Sequence, residues 1–260
     1  MERINTITDN FFKEGLVISS VPDEEQFSSV WTDISGIMSE AFFVLDFQKR
    51  NFLYVSPHIL FTCGYTTEKI KEEGYEFFET IIHPDDLPLW INIHNTILRN
   101  LYNKELPVER IKFFGCTLRI KSFLSDEETK PDYLNVYLKI KPKLQQGIPR
   151  WGICLLSTAV LHDPGNFCVH YDNHDYSTYS FISRKWKFHS FVPLSKREKQ
   201  ILVLGQQGLT NKEIADKLCI SDKVVEQTKT SLLMEQNLKS FSKKIQYTNN
   251  RCLVYQSPVI

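Results

Sequence analysis

The sequence predicts an α+β N-terminal domain followed by a smaller, all-α C-terminal domain. Three observations carry this. Up to about residue 160 the chain runs as two strand-like segments, several short helices, one longer helix and three more strand-like segments. From residue 194 the apolar positions recur at three- and four-residue steps, interrupted by two Ser/Thr-x-x-Glu signatures of helix starts. Charge divides near the same place: residues 192–260 hold 11 Lys+Arg against 6 Asp+Glu, leaving 20 against 25 in the residues before them. With 260 residues the chain is long enough for two cores. A basic module on an acidic body suits a polyanionic partner for the C-terminal part alone.

Taken in order, residues 1–20 carry little pattern. Pro22 followed by Asp23-Glu24-Glu25 suits a helix start, because acidic groups favour the positive end of the helix dipole. Phe27, Val30, Trp31, Ile34, Ile37 and Met38 then form an amphipathic stripe. That stripe can pack on its own domain or on a second copy. AFFVLD at 41–46 and FLYV at 52–55 read as an antiparallel hairpin. Short helices are expected at 57–62, 67–73 and 75–81, and a longer one at 87–101. Strands are expected at 113–124, 133–144 and 150–160, separated by SDEETKPD and QQGIP. The order gives an antiparallel sheet with its helices on one side.

With VLDFQKRNFLYVSP, Cys63-Gly64-Tyr65 and Ile82-His83-Pro84-Asp85-Asp86, this region resembles a PAS domain over roughly residues 34–159. The resemblance implies a five-stranded sheet and helices around a pocket used for sensing or for partner contact. It names no ligand-binding residues. Residues 161–191 are read as two extra strands and a link, with Phe181, Ser183, Lys185 and Lys187 alternating along an edge.

The stretch 194–238 is more specific. Ser195 with Glu198 and Thr210 with Glu213 make two capping boxes, and Gly208 stands where the first helix must stop. Ile201, Leu202, Leu209, Ile214, Leu218 and Ile220 are expected in one small core, with Ala215 where the second helix meets the third. Ser221 can cap a third helix beginning SDKVVEQTKTSLL. This is the plan of a helix-turn-helix, whose recognition helix enters a DNA major groove.

L-S-x-R-E-x-x-I-L followed by G-L-T-N-K-E-I-A-x-x-L-x-I-S resembles the LuxR-type helix-turn-helix of bacterial transcription regulators. The pattern thins beyond Ser221, at Val224-Val225, Thr228 and Glu235-Gln236, and Lys244 falls in the expected fourth, dimerising helix at 241–251. The resemblance implies a sequence-specific DNA-binding transcriptional regulator that works as a homodimer on double-stranded DNA. By that analogy Lys212, Ser221, Lys223 and Lys229 hold phosphates, while Val224, Glu226, Gln227 and Thr230 complete the DNA-facing surface, the last three at base edges. The alternative is a protein-interaction module with an eroded helix-turn-helix. The expected division is a lead segment at 1–26, the PAS-like sensor domain at 27–160, extra strands and linker at 161–191, and a four-helix helix-turn-helix domain at 192–260.

Other chemistries find little footing. Cys63, Cys116, Cys154, Cys168, Cys219 and Cys252 stand singly, which suits reduced thiols in a cytoplasm. His83 admits a metal or haem reading, but a turn at a helix start, with Asp85 or Asp86 as cap, explains the same motif. His162, Asp163, His170, Asp172, His174 and Asp175 crowd in sequence without the spacing of a metal site on a strand or a helix. No phosphate-binding loop, dinucleotide fingerprint, zinc-protease or nucleophile-elbow motif occurs. No catalytic residue, metal or cofactor is therefore expected, and any pocket is expected to hold a small organic molecule or simply side chains. No apolar run is long enough to span a bilayer, and no membrane partner is expected.

Overall fold

The computed structural model describes residues 24–124, 131–159, 163–190 and 194–234. The chain separates into two compact units, Met1–Ser190 and Phe191–Ile260.

In the N-terminal unit, helix α1 (Glu24–Ile37) leads into β1 (Ala41–Asp46) and β2 (Asn51–Val55). Short helices α2 (Ile59–Thr62), α3 (Thr67–Glu73) and α4 (Phe77–Ile81) precede the long α5 (Leu87–Asn103). Strands β3 (Ile111–Lys121), β4 (Tyr133–Gln145) and β5 (Ile148–Thr158) follow, then β6 (Gly165–Tyr171), β7 (Tyr176–Ser180) and β8 (Lys185–His189). All eight lie in one antiparallel sheet in the order β2-β1-β5-β4-β3-β6-β7-β8. The hairpin, the four helices and the three long strands of the PAS-like pattern are all present. The two strands expected within 161–191 are three, and they continue the sheet from β3.

Local chemistry explains the turns. Asp46 Oδ1 accepts from the backbone N–H groups of Gln48 and Lys49 at 2.9 and 2.8 Å, folding the chain back after β1. Its other oxygen faces Arg150 Nη2 at 3.1 Å, an ion pair off the axis of an aligned hydrogen bond, with both side chains buried. Asp86 makes no capping bond to α5, contrary to the expectation for the His-Pro-Asp-Asp stretch. Instead its carboxylate accepts the Arg119 backbone N–H at 2.9 Å and that residue's guanidinium at 2.5 Å, tying the start of α5 to β3. His83 does satisfy the turn, its Nδ1 accepting from Asp85 N–H at 3.1 Å.

The main core lies between the sheet and α2–α5. Phe43, Phe47, Phe61, Phe77 and Trp90 are all at most 1% exposed, and Phe43 stacks on Phe61 at 4.0 Å between centroids. Among the described residues, the buried polar atoms with no hydrogen-bond partner include Tyr75 Oη and His94 Nε2, on rings 5.4 Å apart. Burial, with the Arg50 charge adding to it, pulls the His94 pKa down to about 4, so the ring is neutral.

Alternation along β1 sends Phe42 and Val44 to the opposite face of the sheet, where α1 packs. Trp31 meets Tyr54 at 5.9 Å and Ser35 Oγ lies 2.6 Å from Tyr54 Oη. The α1 stripe thus divides: Trp31 turns to its own sheet, whereas Val30, Ile34 and Ile37 are exposed. Farther across that face, Phe113, His170, Tyr176 and His189 form a cross-strand ladder of rings joining β3, β6, β7 and β8. Gly115 makes room beside it, since a Cβ there would meet Tyr137 Oη at 2.0 Å.

Candidate nucleic-acid interface

The C-terminal unit presents α6 (Lys196–Gln206), α7 (Asn211–Leu218) and α8 (Asp222–Met234). Both capping boxes are formed. Ser195 and Thr210 hydroxyls accept from the N–H groups of Glu198 and Glu213 at 3.3 Å, and the two carboxylates take the cap N–H groups at 2.7 Å. Accepting the Thr210 N–H and hydroxyl lowers the Glu213 pKa, so its capping charge persists into mild acid. Gly208 has φ +83°, beyond the end of α6. Cys219 ends α7 with φ 52°, a left-handed position held here by a residue with a Cβ.

Ile201, Ile214, Ala215 and Val225 form the centre of the small core, with Leu204, Leu209, Leu218 and Ile220 packed around it. Leu202 is fully buried as expected, although outside that central cluster. Val225 and Leu204 are core members that the sequence reading did not name. Helical periodicity through 225, 228 and 232 held the signal: Val225 and Leu232 are 0% exposed and Thr228 is half-buried.

Burying that stripe turns the other side of α8 outward. Lys223, Glu226, Gln227 and Thr230 are exposed and fall at three- and four-residue steps, so they share one face. Ser221 is exposed at the head of α8, its Oγ 3.4 Å from Val224 N–H, and Lys212 is exposed in the first turn of α7. Val224 is half-buried and so offers only part of its side chain. The Thr230 hydroxyl donates to Glu226 C=O at 2.9 Å, which leaves its lone pairs to accept.

Lys229 stands apart from that outward row. It is half-buried, and its Nζ donates to Asn211 Oδ1 at 2.6 Å, which brings the ammonium to the start of α7 beside Lys212. Burial pulls its pKa down. Asn211 was not among the residues picked from sequence. The only available signal was its place in Thr-Asn-Lys-Glu, immediately after the cap.

Residues 192–248 match the family model described as bacterial regulatory proteins, luxR family. This segment is a LuxR-type helix-turn-helix domain. The oxygen regulatory protein NreC of Staphylococcus carnosus is 46% identical over 64 residues, which are 25% of this chain and 30% of that protein. NreC of Staphylococcus epidermidis is 44% identical over 64 residues, 25% of this chain and 29% of that protein. The chain thus spans about a third of the length of the curated relatives it matches. Among solved structures, a Vibrio cholerae VqmA–ligand–DNA complex aligns over 90% of both chains at 15% identity, with a TM-score of 0.33. A phage VqmA–DPO complex aligns over 91% of this chain and 94% of that one at 11% identity, with a TM-score of 0.30.

The fourth helix expected at 241–251, the departures at Glu235 and Gln236, and the lead segment before residue 24 lie outside the described residues, as do His162 and Cys252. His170 is on β6 with its Nε2 3.4 Å from Cys168 Sγ, whereas His174 lies in the turn beyond that strand. Among the described residues no three His, Cys, Asp or Glu side chains gather as a metal site. No described helix is long and apolar enough to cross a membrane.

Proposed function

We propose that this protein is a sequence-specific DNA-binding transcription regulator whose N-terminal unit takes a signal or pairs two copies. One observation carries the reading: a doubly capped helix-turn-helix of LuxR type turns Lys223, Glu226, Gln227 and Thr230 outward on one face of its third helix. In the major groove Gln227 would pair with an adenine edge and Glu226 would accept from cytosine, while Lys223 and Ser221 hold flanking phosphates. Lys212 in the first turn of α7, and Lys229 held there by Asn211, would take the next phosphates.

Filter retention of duplex DNA over a salt series tests this. Retention should fall steeply with salt, and Lys229→Ala should lower the slope by about one unit for every sequence alike. Gln227→Ala should instead relax preference at one base pair, by about 1–3 kcal/mol. Salt-insensitive retention, or none at low salt, would overturn the reading.

Two features of the N-terminal unit support its share of the proposal. Tyr75 Oη and His94 Nε2 are buried donors or acceptors without partners, where a small uncharged molecule or a water would recover hydrogen bonds. Val30, Ile34 and Ile37 leave an apolar stripe on α1 for a second copy. Charged substitution at Ile34 should lower the dimer fraction in sedimentation, whereas the same change at exposed Ser180 should not.

A further inference from the structure

The two edges of the eight-stranded sheet are finished differently. At the β2 end the chain folds back on the entrance to the strand: Tyr75 N–H donates to C=O of Arg50, the residue just before β2, at 3.2 Å. At the other end β8 is hydrogen-bonded to β7 alone among the described strands. An uncovered strand edge exposes a row of backbone N–H and C=O groups that another extended chain can pair with.

The side chains of β8 define what kind of chain fits. Opposite Thr178 and Ser180, Lys187 and Lys185 point to one face of the sheet, both exposed. Opposite Tyr179 and Ser177, Trp186 and Phe188 point to the other. Trp186 is anchored, its Nε1 donating to Asn100 Oδ1 at 3.1 Å, while Phe188 is 59% exposed. Ile182, at the tip of the β7–β8 hairpin, is fully exposed. Residues 176–190 carry Arg184, Lys185 and Lys187 and no Asp or Glu, and none of these three cations has an ion-pair partner among the described residues. Lysines on an edge also discourage random strand pairing. That role gives no reason for two large apolar side chains to stand in water beside them.

We propose that β8 is a docking edge for an extended acidic segment of a partner protein, which adds as a ninth strand. The segment would alternate acidic side chains over Lys185 and Lys187 with apolar ones over Trp186 and Phe188. Main-chain bonds would supply affinity and the alternation would supply choice. A nucleic-acid strand would meet the cations and could stack a base on Phe188, but it has no use for the open backbone row. The edge closes at His189 and the helix-turn-helix begins at Ser195, so a docked segment would sit on the strand that feeds that domain.

The test uses the full chain and a synthetic peptide of about nine residues alternating Glu and Val, N-methylated along one side so that only one edge can pair. Amide hydrogen exchange should show new protection at Lys185–His189, with none at Asn51–Val55. Lys185→Glu with Lys187→Glu should weaken binding about tenfold or more and transfer preference to a Lys-Val peptide. Phe188→Ala should weaken both. Three results would overturn the proposal: no protection of β8 in the wild-type chain, equal affinity after charge reversal, or loss of duplex DNA retention on charge reversal while the peptide never binds. The last would assign these cations to nucleic acid.

Discussion

The two units hold themselves together by different means. The N-terminal unit buries large rings against one another, Phe43 on Phe61 and Phe78 on Trp90, and adds a buried ion pair at Asp46 and Arg150. The C-terminal unit has no aromatic residue among its described core members; it closes a few aliphatic side chains and relies on capped helix ends. A unit built on rings should fail when one ring is removed, whereas a unit built on caps should erode in small steps.

Phe61→Ala is the hardest blow to that contrast. The ring is 1% exposed, and its loss should cost the N-terminal unit about 3–5 kcal/mol while leaving the C-terminal unit unchanged. Urea unfolding followed by near-ultraviolet dichroism and by helical dichroism should then resolve two transitions. A single transition shifted for both signals would mean that the units fold as one.

Acid should act next, and again on the N-terminal unit. His94 has a native pKa of about 4 against about 6.5 when unfolded, so between those values the unfolded chain binds the extra proton. Its contribution is intact above the unfolded pKa and is lost as pH falls toward the native one. Between pH 7 and pH 5 the loss should be about 2 kcal/mol. His94→Phe should flatten that part of the pH profile, and an unaltered profile would show that another group governs it.

The smallest effect belongs to a cap. Thr210→Ala removes the hydroxyl that receives Glu213 N–H and should cost about 1 kcal/mol, confined to the C-terminal unit. If it lowered the N-terminal transition by a similar amount, the separation of the two stabilities would fail.

The helix-turn-helix was legible because its signals are local. A cap, its Glu three residues on, and a Gly at the stop lie within one or two turns of each other, and all appear where the pattern puts them. The PAS-like strands were legible from alternation and loop composition. What escaped were contacts across sequence distance. Asp86 looked like a cap because it precedes a helix, but Arg119 on β3 claims its carboxylate. Lys229 read as a phosphate contact, and nothing local showed that Asn211 at the start of α7 would hold its ammonium. Residues 161–191 read as two extra strands and a link, whereas they hold three strands, the first mostly buried. The partner of β6, β3, lies about fifty residues earlier, beyond the reach of any local pattern.

That last pairing bears on how the molecule can be divided. A fragment ending with β5 at Thr158 would leave β3 from Ile111 to Thr117 as a raw border, with Phe114 stripped of its neighbours Phe167 and Trp186. Such a border is sticky, so the piece would tend to precipitate even though every strand of the expected five is in it. Carrying the cut past His189 keeps β6 seated on β3 and ends the piece on the short, lysine-bearing β8.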